Sequence, residues 1–336
     1  MTTELKVGVI GLGEVGAHQA RGVQTAAGAR LFAVADFNPK LVDAFVQDTG
    51  ARGYGNAEEL IADEQVEAVV ICVPHKFHAE LCKTALKAGK HVFVEKPVTV
   101  TSQECDALIA LADQSGKVFG ASHNQLFYPP HRWLREEIAE GRIARPSILR
   151  LRLAIGGKLG GWRADPDLTG GGLLFDAGFH RFYVARSIMG EVKAVYASLD
   201  TDDPRGVGED SGIVVLEFEE GGRAVIEAGY HAPAGIFDDQ IEAVTPDALV
   251  RIPGIEAHFE KFSDEPHLLI RNGGEWMGQE LESAEWPDTI ALSVANFIDA
   301  VNGKARLAVD GREARRIVEI VEAAYRSAME GRRVEV

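Results

Sequence analysis

Leu5-Lys6-Val7-Gly8-Val9-Ile10-Gly11-Leu12-Gly13-Glu14-Val15-Gly16 is the stretch whose reading decides the fold. Its first half is a short apolar run with β-branched residues, the pattern of a buried strand. Its second half is Gly-x-Gly-x-x-Gly, and a helical pattern to about Ala26 follows. Strand, glycine turn and helix in that order predict a dinucleotide-binding unit; the competing reading is a tight βα turn with no ligand. Gly11 permits the tight turn, Gly13 lets the backbone approach a pyrophosphate, and Gly16 lets the helix pack against the strand. The helix N-terminus faces the anion, with Leu12, Glu14 and Val15 completing the turn around it.

Outward from this unit the same texture repeats. A second strand, Leu31-Phe32-Ala33-Val34-Ala35, ends at Asp36, 20 positions after Gly16. A carboxylate there accepts from both ribose hydroxyls and repels a 2′-phosphate, so the expected cofactor is NAD rather than NADP. Phe37 and Asn38 follow, not an arginine. The competing reading of Asp36 is a helix cap ahead of Pro39. Helices are expected over 41–48 and 57–62. A buried strand over 68–73 is closed by Pro74, and His75 and His78 open the next helix. His-x-x-His raises the question of zinc, but two ligands without a third do not make a site, and no metal is expected. Pro74 and His78 read instead as part of a helix-entry loop beside the cofactor.

Glu95-Lys96-Pro97 follows another apolar run, Lys90-His91-Val92-Phe93-Val94. In an open α/β sheet, ligands bind outside the carboxyl ends of the strands. A lysine delivered there can hydrogen-bond a substrate hydroxyl and stabilise its oxygen as charge develops. The competing reading is a surface lysine in a turn. A helix over 101–115 and a strand over 117–121 complete the series. Repeated β-α units with near-continuous apolar strands predict a doubly wound parallel sheet covered on both faces. This Rossmann-type domain is expected to span 1–123.

Beyond Pro146 the pattern changes. A helix over 129–140 leads to alternating strand-like runs at 147–154, 192–199, 211–218, 223–230, 239–244, 249–252 and 267–270. Turns such as Glu219-Glu220-Gly221-Gly222 separate them, as in antiparallel hairpins. The remainder, 124–336, is therefore expected to be an α+β domain for substrate binding and oligomerisation, with a large, predominantly antiparallel open sheet. Helices are expected over 290–301 and 311–329, at least one of them packing back on the first domain.

The second chemical cluster is Gly170-Gly171-Gly172-Leu173-Leu174-Phe175-Asp176-Ala177-Gly178-Phe179-His180. Asp176 and His180 are four apart and would share one face of a helix. Histidine titrates near pH ~6.5 and is suited to taking a hydroxyl proton, with a carboxylate to orient it. The competing reading is a helix cap and a surface histidine. Trp162-Arg163 lies upstream in a Gly-rich loop, where a tryptophan face can pack on a sugar and arginine offers several donors; loop anchoring is the alternative. His123, Asn124, Tyr230 and His231 are weaker candidates, the first two on the substrate side; the competing reading of each is a structural residue.

Composition narrows the partners. The 336 residues are 46% apolar and 26% charged, ordinary for a globular protein of about two domains. A net charge of -16 with no cluster of Lys and Arg argues against nucleic acid. No apolar run reaches ~18 residues and no leader precedes the first strand, so neither a membrane span nor secretion is expected. Cys72, Cys82 and Cys105, an odd number without CxxC spacing, read as reduced thiols of a cytoplasmic protein.

Taken together, Gly11-x-Gly13-x-x-Gly16, the run Ala88-Gly89-Lys90-His91-Val92 to Glu95-Lys96-Pro97, and Gly171-Gly172 to Asp176-x-Gly178-x-His180 resemble the glucose–fructose oxidoreductase / inositol dehydrogenase / rhizopine-catabolism (Gfo/Idh/MocA) family. The likeness covers nearly the whole chain. It implies a Rossmann domain followed by an α/β domain on a large open sheet, with Lys96, Asp176 and His180 lining the active site. It implies that Pro97 helps place the nicotinamide and that subunits pair through their sheets as a homodimer or homotetramer. The resulting expectation is an NAD-dependent dehydrogenase of a secondary hydroxyl on a sugar or cyclic polyol. Two rivals are an NAD-recycling enzyme that cleaves glycosides and a non-catalytic sensor of NAD or sugar.

Overall fold

The computed structural model describes residues 4–157, 160–254, 266, 268–282 and 284–336. Its contacts group the chain into two units, Met1–Asn124 with Ile290–Val318, and Gln125–Thr289 with Glu319–Val336.

In the first unit the apolar runs become strands and the amphipathic segments between them helices: β1 (Leu5–Ile10), α1 (Glu14–Thr25), β2 (Ala29–Ala35), α2 (Pro39–Thr49), β3 (Arg52–Tyr54), α3 (Ala57–Ala62), β4 (Ala68–Ile71), α4 (His78–Lys87), β5 (His91–Glu95), α5 (Ser102–Ser115) and β6 (Phe119–Ser122). The six strands form one parallel sheet in the order β3-β2-β1-β4-β5-β6. The order reverses between β1 and β4, and the crevice at such a reversal is where ligands bind. β3 escapes a hydrophobicity reading because Arg52-Gly53-Tyr54 is short and mostly exposed. The helix ends carry their own signals. The Asn38 side chain accepts from the Lys40 N–H with Pro39 in the first turn, and Gly50 ends α2 in the left-handed conformation. Thr101 and Glu104 cap each other's backbone N–H at α5.

The core of this unit gathers Val7, Val9, Val34, Val70 and Phe93 from the sheet with Val294, Phe297 and Ile298 from the returning segment. Phe93 and Phe297 stack with centroids 4.9 Å apart. The same segment lengthens the sheet edge, where the Ala121 N–H donates to the Val309 carbonyl.

The rest of the chain runs through α6 (Pro129–Ala139), β7 (Ile148–Gly156), α7 (Pro166–Thr169), α8 (Phe179–Met189), β8 (Val192–Asp200), β9 (Ser211–Phe218), β10 (Arg223–Ala232), β11 (Phe237–Asp238), β12 (Ile241–Val244), β13 (Leu249–Ile252), β14 (Leu269–Arg271), β15 (Met277–Gly278), α9 (Trp286–Val301), α10 (Gly311–Glu330) and β16 (Val334–Glu335). The second sheet is ordered β15-β14-β13-β12-β7-β10-β9-β8-β16, with β11 pairing β7 off that path. Its pairs are antiparallel except β7 with β10, which run parallel. A parallel pair needs a long crossover, and the whole segment from α7 through β9 supplies it. Of the strand expected over 267–270, His267 lies outside the described residues. Leu149, Leu151 and Leu153 of β7 point into the core, while Arg150 and Arg152 point out and pair with Glu242 and Asp238. α8 is buried nearly all round, as its lack of an exposed polar face demands. Among the described residues, no helix is long and apolar enough to cross a membrane.

Candidate active site

Three features of the first unit meet the requirements of a dinucleotide. Gly11 has φ +85°, and a Cβ there would strike the Cys72 backbone, so both conformation and space demand glycine. Gly13 lies in the open, with nothing within 4 Å of where its Cβ would be. It caps α1 with no side chain over the helix end, so the first-turn N–H groups stay available to an anion. A Cβ on Gly16 would press into the Gly11 carbonyl and lie 3.3 Å from the Cys72 Cβ, so this glycine seats the helix on the turn.

Asp36, at the end of β2, is buried. One carboxylate oxygen accepts from the Leu12 N–H at 2.7 Å and the other from the Asn38 N–H at 2.8 Å. The carboxylate therefore braces the glycine turn, and each oxygen retains acceptor capacity for a ribose hydroxyl. The residues present fit a dinucleotide. Asp36 is not the cap of α2; Asn38 fills that role.

Pro74 leads into a single 3₁₀ turn, His75–Phe77, from which α4 starts at His78. The His78 ring is buried, with Nδ1 2.7 Å from the Pro97 carbonyl and Nε2 2.8 Å from the Val73 carbonyl. It ties the loop after β4 to the turn after β5. Both nitrogens face backbone acceptors, which is why His75 and His78 do not form a zinc pair. Burial outweighs those carbonyls and, aided by the Lys96 charge, pulls the His78 pKa down to about 4. Glu95-Lys96-Pro97 follows β5, with a cis Lys96–Pro97 bond. The Glu95 carboxylate is held underneath by Gln19 of α1, whose amide also donates to Ser122 Oγ at 2.9 Å. Burial raises the Glu95 pKa, opposed chiefly by the charge of Lys96. His123 and Asn124 follow β6 and are both buried. The glycine turn, Asp36, Pro74, Lys96 and His123 thus all lie at the carboxyl edge of one parallel sheet.

The second unit brings together Arg163, Asp176 and Tyr230. Arg163 Nε lies 3.3 Å from Asp176 Oδ1, and the Tyr230 hydroxyl donates to Oδ2 at 2.9 Å. The Arg163 guanidinium also lies over the Trp162 ring, 4.8 Å from its centroid, so Trp162 acts here as a platform for Arg163. Burial and the Asp176 charge raise the Tyr230 pKa well above its ordinary value, which keeps the phenol a donor. The expected helical face shared by Asp176 and His180 is corrected: α8 begins at Phe179, and Asp176 lies in the turn before it. In that turn the Gly178 N–H donates to the Leu173 carbonyl at 2.8 Å. His180 Nδ1 instead meets the Tyr183 hydroxyl one helical turn on. Tyr183 and Gln19 carried no motif signal, although the i,i+3 spacing of His180 and Tyr183 on one helix was readable.

A pocket of about 420 Å³ is lined by Tyr230 together with Asp202, Asp203, Arg205, Asp210 and His231 among others. Asp210 is buried and accepts from the Asp202 and Asp203 N–H groups and from His231. Burial pushes its pKa up, but these donors prevail and hold it below the usual carboxylate range.

A family model for oxidoreductases with an NAD-binding Rossmann fold matches residues 5–123, and its companion model for a C-terminal alpha/beta domain matches 135–336. The chain belongs to the Gfo/Idh/MocA oxidoreductase family. Among similar members, myo-inositol 2-dehydrogenase of Thermotoga maritima is 28% identical over 99% of this chain and 98% of its own. Inositol 2-dehydrogenase of Pseudomonas savastanoi pv. phaseolicola is 30% identical over 89% of this chain and 86% of its own. The crystal structure of GenD2 from gentamicin A biosynthesis in complex with NAD superposes with a TM-score of 0.85 at 26% identity, covering all of this chain and 97% of that one. As a member of this family the chain is an oxidoreductase with an NAD-binding fold.

Proposed function

We propose that this family member oxidises a secondary hydroxyl of a sugar or cyclic polyol with NAD, or runs the reverse reduction. The observation that carries the reading is Lys96 at the carboxyl edge of the same sheet that presents the glycine turn and Asp36. The relatives named as inositol dehydrogenases support the substrate class. The Asp36 carboxylate at the ribose position supports NAD over NADP.

When bound, the nicotinamide supplies the hydride acceptor. Lys96 donates to the substrate oxygen and stabilises its alkoxide character, and Pro97 shapes the turn against the cofactor. His180 takes the hydroxyl proton. For its Nε2 to serve as base, Nδ1 must carry hydrogen and donate it to the Tyr183 oxygen. Asp176, fixed by Arg163 and Tyr230, accepts from a neighbouring substrate hydroxyl; Trp162, His123 and Asn124 complete the substrate side. The reading includes work in the cytoplasm as a homodimer or homotetramer; Tyr196 and Ile213, both about half exposed on adjacent strands of the second sheet, support the assembly.

The test is NAD⁺ reduction across myo-inositol, pyranoses and anhydrosugars, followed by NADH absorbance. A dehydrogenase accumulates NADH, whereas an NAD-recycling glycosidase and a sensor do not. Lys96→Ala is expected to lower kcat by about a hundred-fold or more with NADH affinity little changed. Normal turnover in that variant would overturn the central assignment.

A further inference from the structure

The turn that carries Asp176 and His180 is gripped by one residue outside every motif above. The N–H groups of Gly172, Leu173 and Leu174 all donate to Glu209. Gly172 reaches carboxylate Oε2 at 2.9 Å, Leu174 reaches Oε1 at 2.8 Å, and Leu173 reaches the Glu209 carbonyl at 2.7 Å. The Tyr325 hydroxyl donates to the same carboxylate. The two loops lie backbone on backbone. A Cβ on Gly172 would enter the Glu209 main chain, and one on Gly208, at φ +85°, would lie 2.7 Å from the Gly172 Cα. From this anchor the turn closes on itself, Asp176 N–H to the Gly172 carbonyl and Gly178 N–H to the Leu173 carbonyl, and delivers His180 into α8. The adjacent residue serves the other side of Asp176, since the Asp210 carbonyl accepts from the Tyr230 N–H at 2.9 Å.

We propose that Glu209 is a positioning residue for the reaction, setting the backbone from which Asp176 and His180 project. The inference rests on the proposed roles of those two residues. A buried carboxylate is the side chain this task requires, because three donors converge on its two oxygens and it presents no hydrogen of its own. Glutamine in its place has one acceptor oxygen, and its NH₂ would face an N–H. Glu209 is buried and belongs with the second unit.

The experiment is Glu209→Gln in the full chain, read in two ways. Hydrogen exchange at the amides of 172–174 is expected to accelerate while the strands β8 to β10 keep wild-type protection. With myo-inositol as the probe substrate, kcat is expected to fall about ten- to a hundred-fold while NADH affinity stays within about two-fold, since small misplacements of reacting groups carry such costs. Wild-type exchange in the turn, or faster exchange with wild-type kcat, would overturn the proposal. A milder variant, Tyr325→Phe, removes one donor to the carboxylate and a second, longer acceptor of the Gly172 N–H at 3.3 Å, and keeps the three N–H bonds to Glu209. If Glu209→Gln does not fold, Tyr325→Phe decides the matter, by a few-fold loss of kcat with faster turn exchange or by no change in either. Should wild-type enzyme make no NADH from myo-inositol, the substrate assignment fails by itself, and the exchange measurement still decides whether Glu209 holds the turn.

Discussion

Asp36 shows what single residues can disclose. Its spacing from Gly16 is the basis for proposing it as a ribose acceptor, and the fold puts its carboxylate at the end of β2. The fold adds a second bond, from the Leu12 N–H, that couples this side chain to the shape of the glycine turn. Asp36→Ala therefore removes an acceptor from the cofactor and a brace from its cradle. The expected result is a KM for NAD raised about ten-fold or more, because hydrogen bonds to charged groups contribute roughly 1.5–3 kcal/mol. The KM for NADP should rise less, since the repulsive charge goes too. Steady-state kinetics with both cofactors would check this, and an unchanged NAD-to-NADP ratio would contradict it. Asp176 shows the opposite case. Four residues from His180, it reads as a helical neighbour, yet α8 starts at Phe179 and Asp176 lies in the turn before it, where the Gly178 N–H meets the Leu173 carbonyl. Which groups then surround Asp176 is decided by Arg163 and Tyr230, from two other elements.

Elements were legible where local chemistry specifies their ends. α3, β9 and β13 fall on the expected bounds, and α5 starts one residue inside them because Thr101 caps rather than joins the helix. That capping box gives a direct stability test. Thr101→Ala removes the acceptor for the Glu104 N–H and is expected to cost ~1 kcal/mol. A matching drop in the urea midpoint, with kinetics unchanged, is the measurement; no drop would mean that tertiary contacts hold α5 without its cap. Elements without local signals were not legible. β3, β11, β15 and β16 are two or three residues long and exist only because a neighbouring strand offers them a ladder. The parallel pairing of β7 with β10 is likewise invisible in either strand, since alternation marks a face and not a direction.

For the whole molecule, burial of titratable groups yields a pH dependence of stability. Burial, then the Arg181 charge, pulls the His131 pKa down to about 3, and burial pulls His78 and His91 to about 4. Folded, these rings stay neutral down to those values; unfolded, they bind protons below about pH 6.5. The unfolded state therefore holds more protons in this window, and stability falls as pH drops from about 6.5 towards 4. The slope reaches about 1.4 kcal/mol per pH unit for each fully buried histidine. Glu95, with its raised pKa, works the other way and offsets part of the loss. Urea unfolding at a series of pH values would measure this, and a flat or rising profile on acidification would refute it. The thiols play no part, as burial raises all three, Cys105 to about 12.

By itself the sequence determined the fold class and the family, because a glycine turn, a strand-end carboxylate and a strand-end lysine are local patterns carried by contiguous residues. Only the tertiary structure decided what holds those groups in place: His78 between two carbonyls, Gln19 under Glu95, Tyr230 and Arg163 on Asp176, and Glu209 beneath the turn of Gly172. The physical reason is that a hydrogen bond needs two groups within about 3 Å, and partners such as Tyr325 and Glu209, 116 residues apart, are brought that close by packing alone.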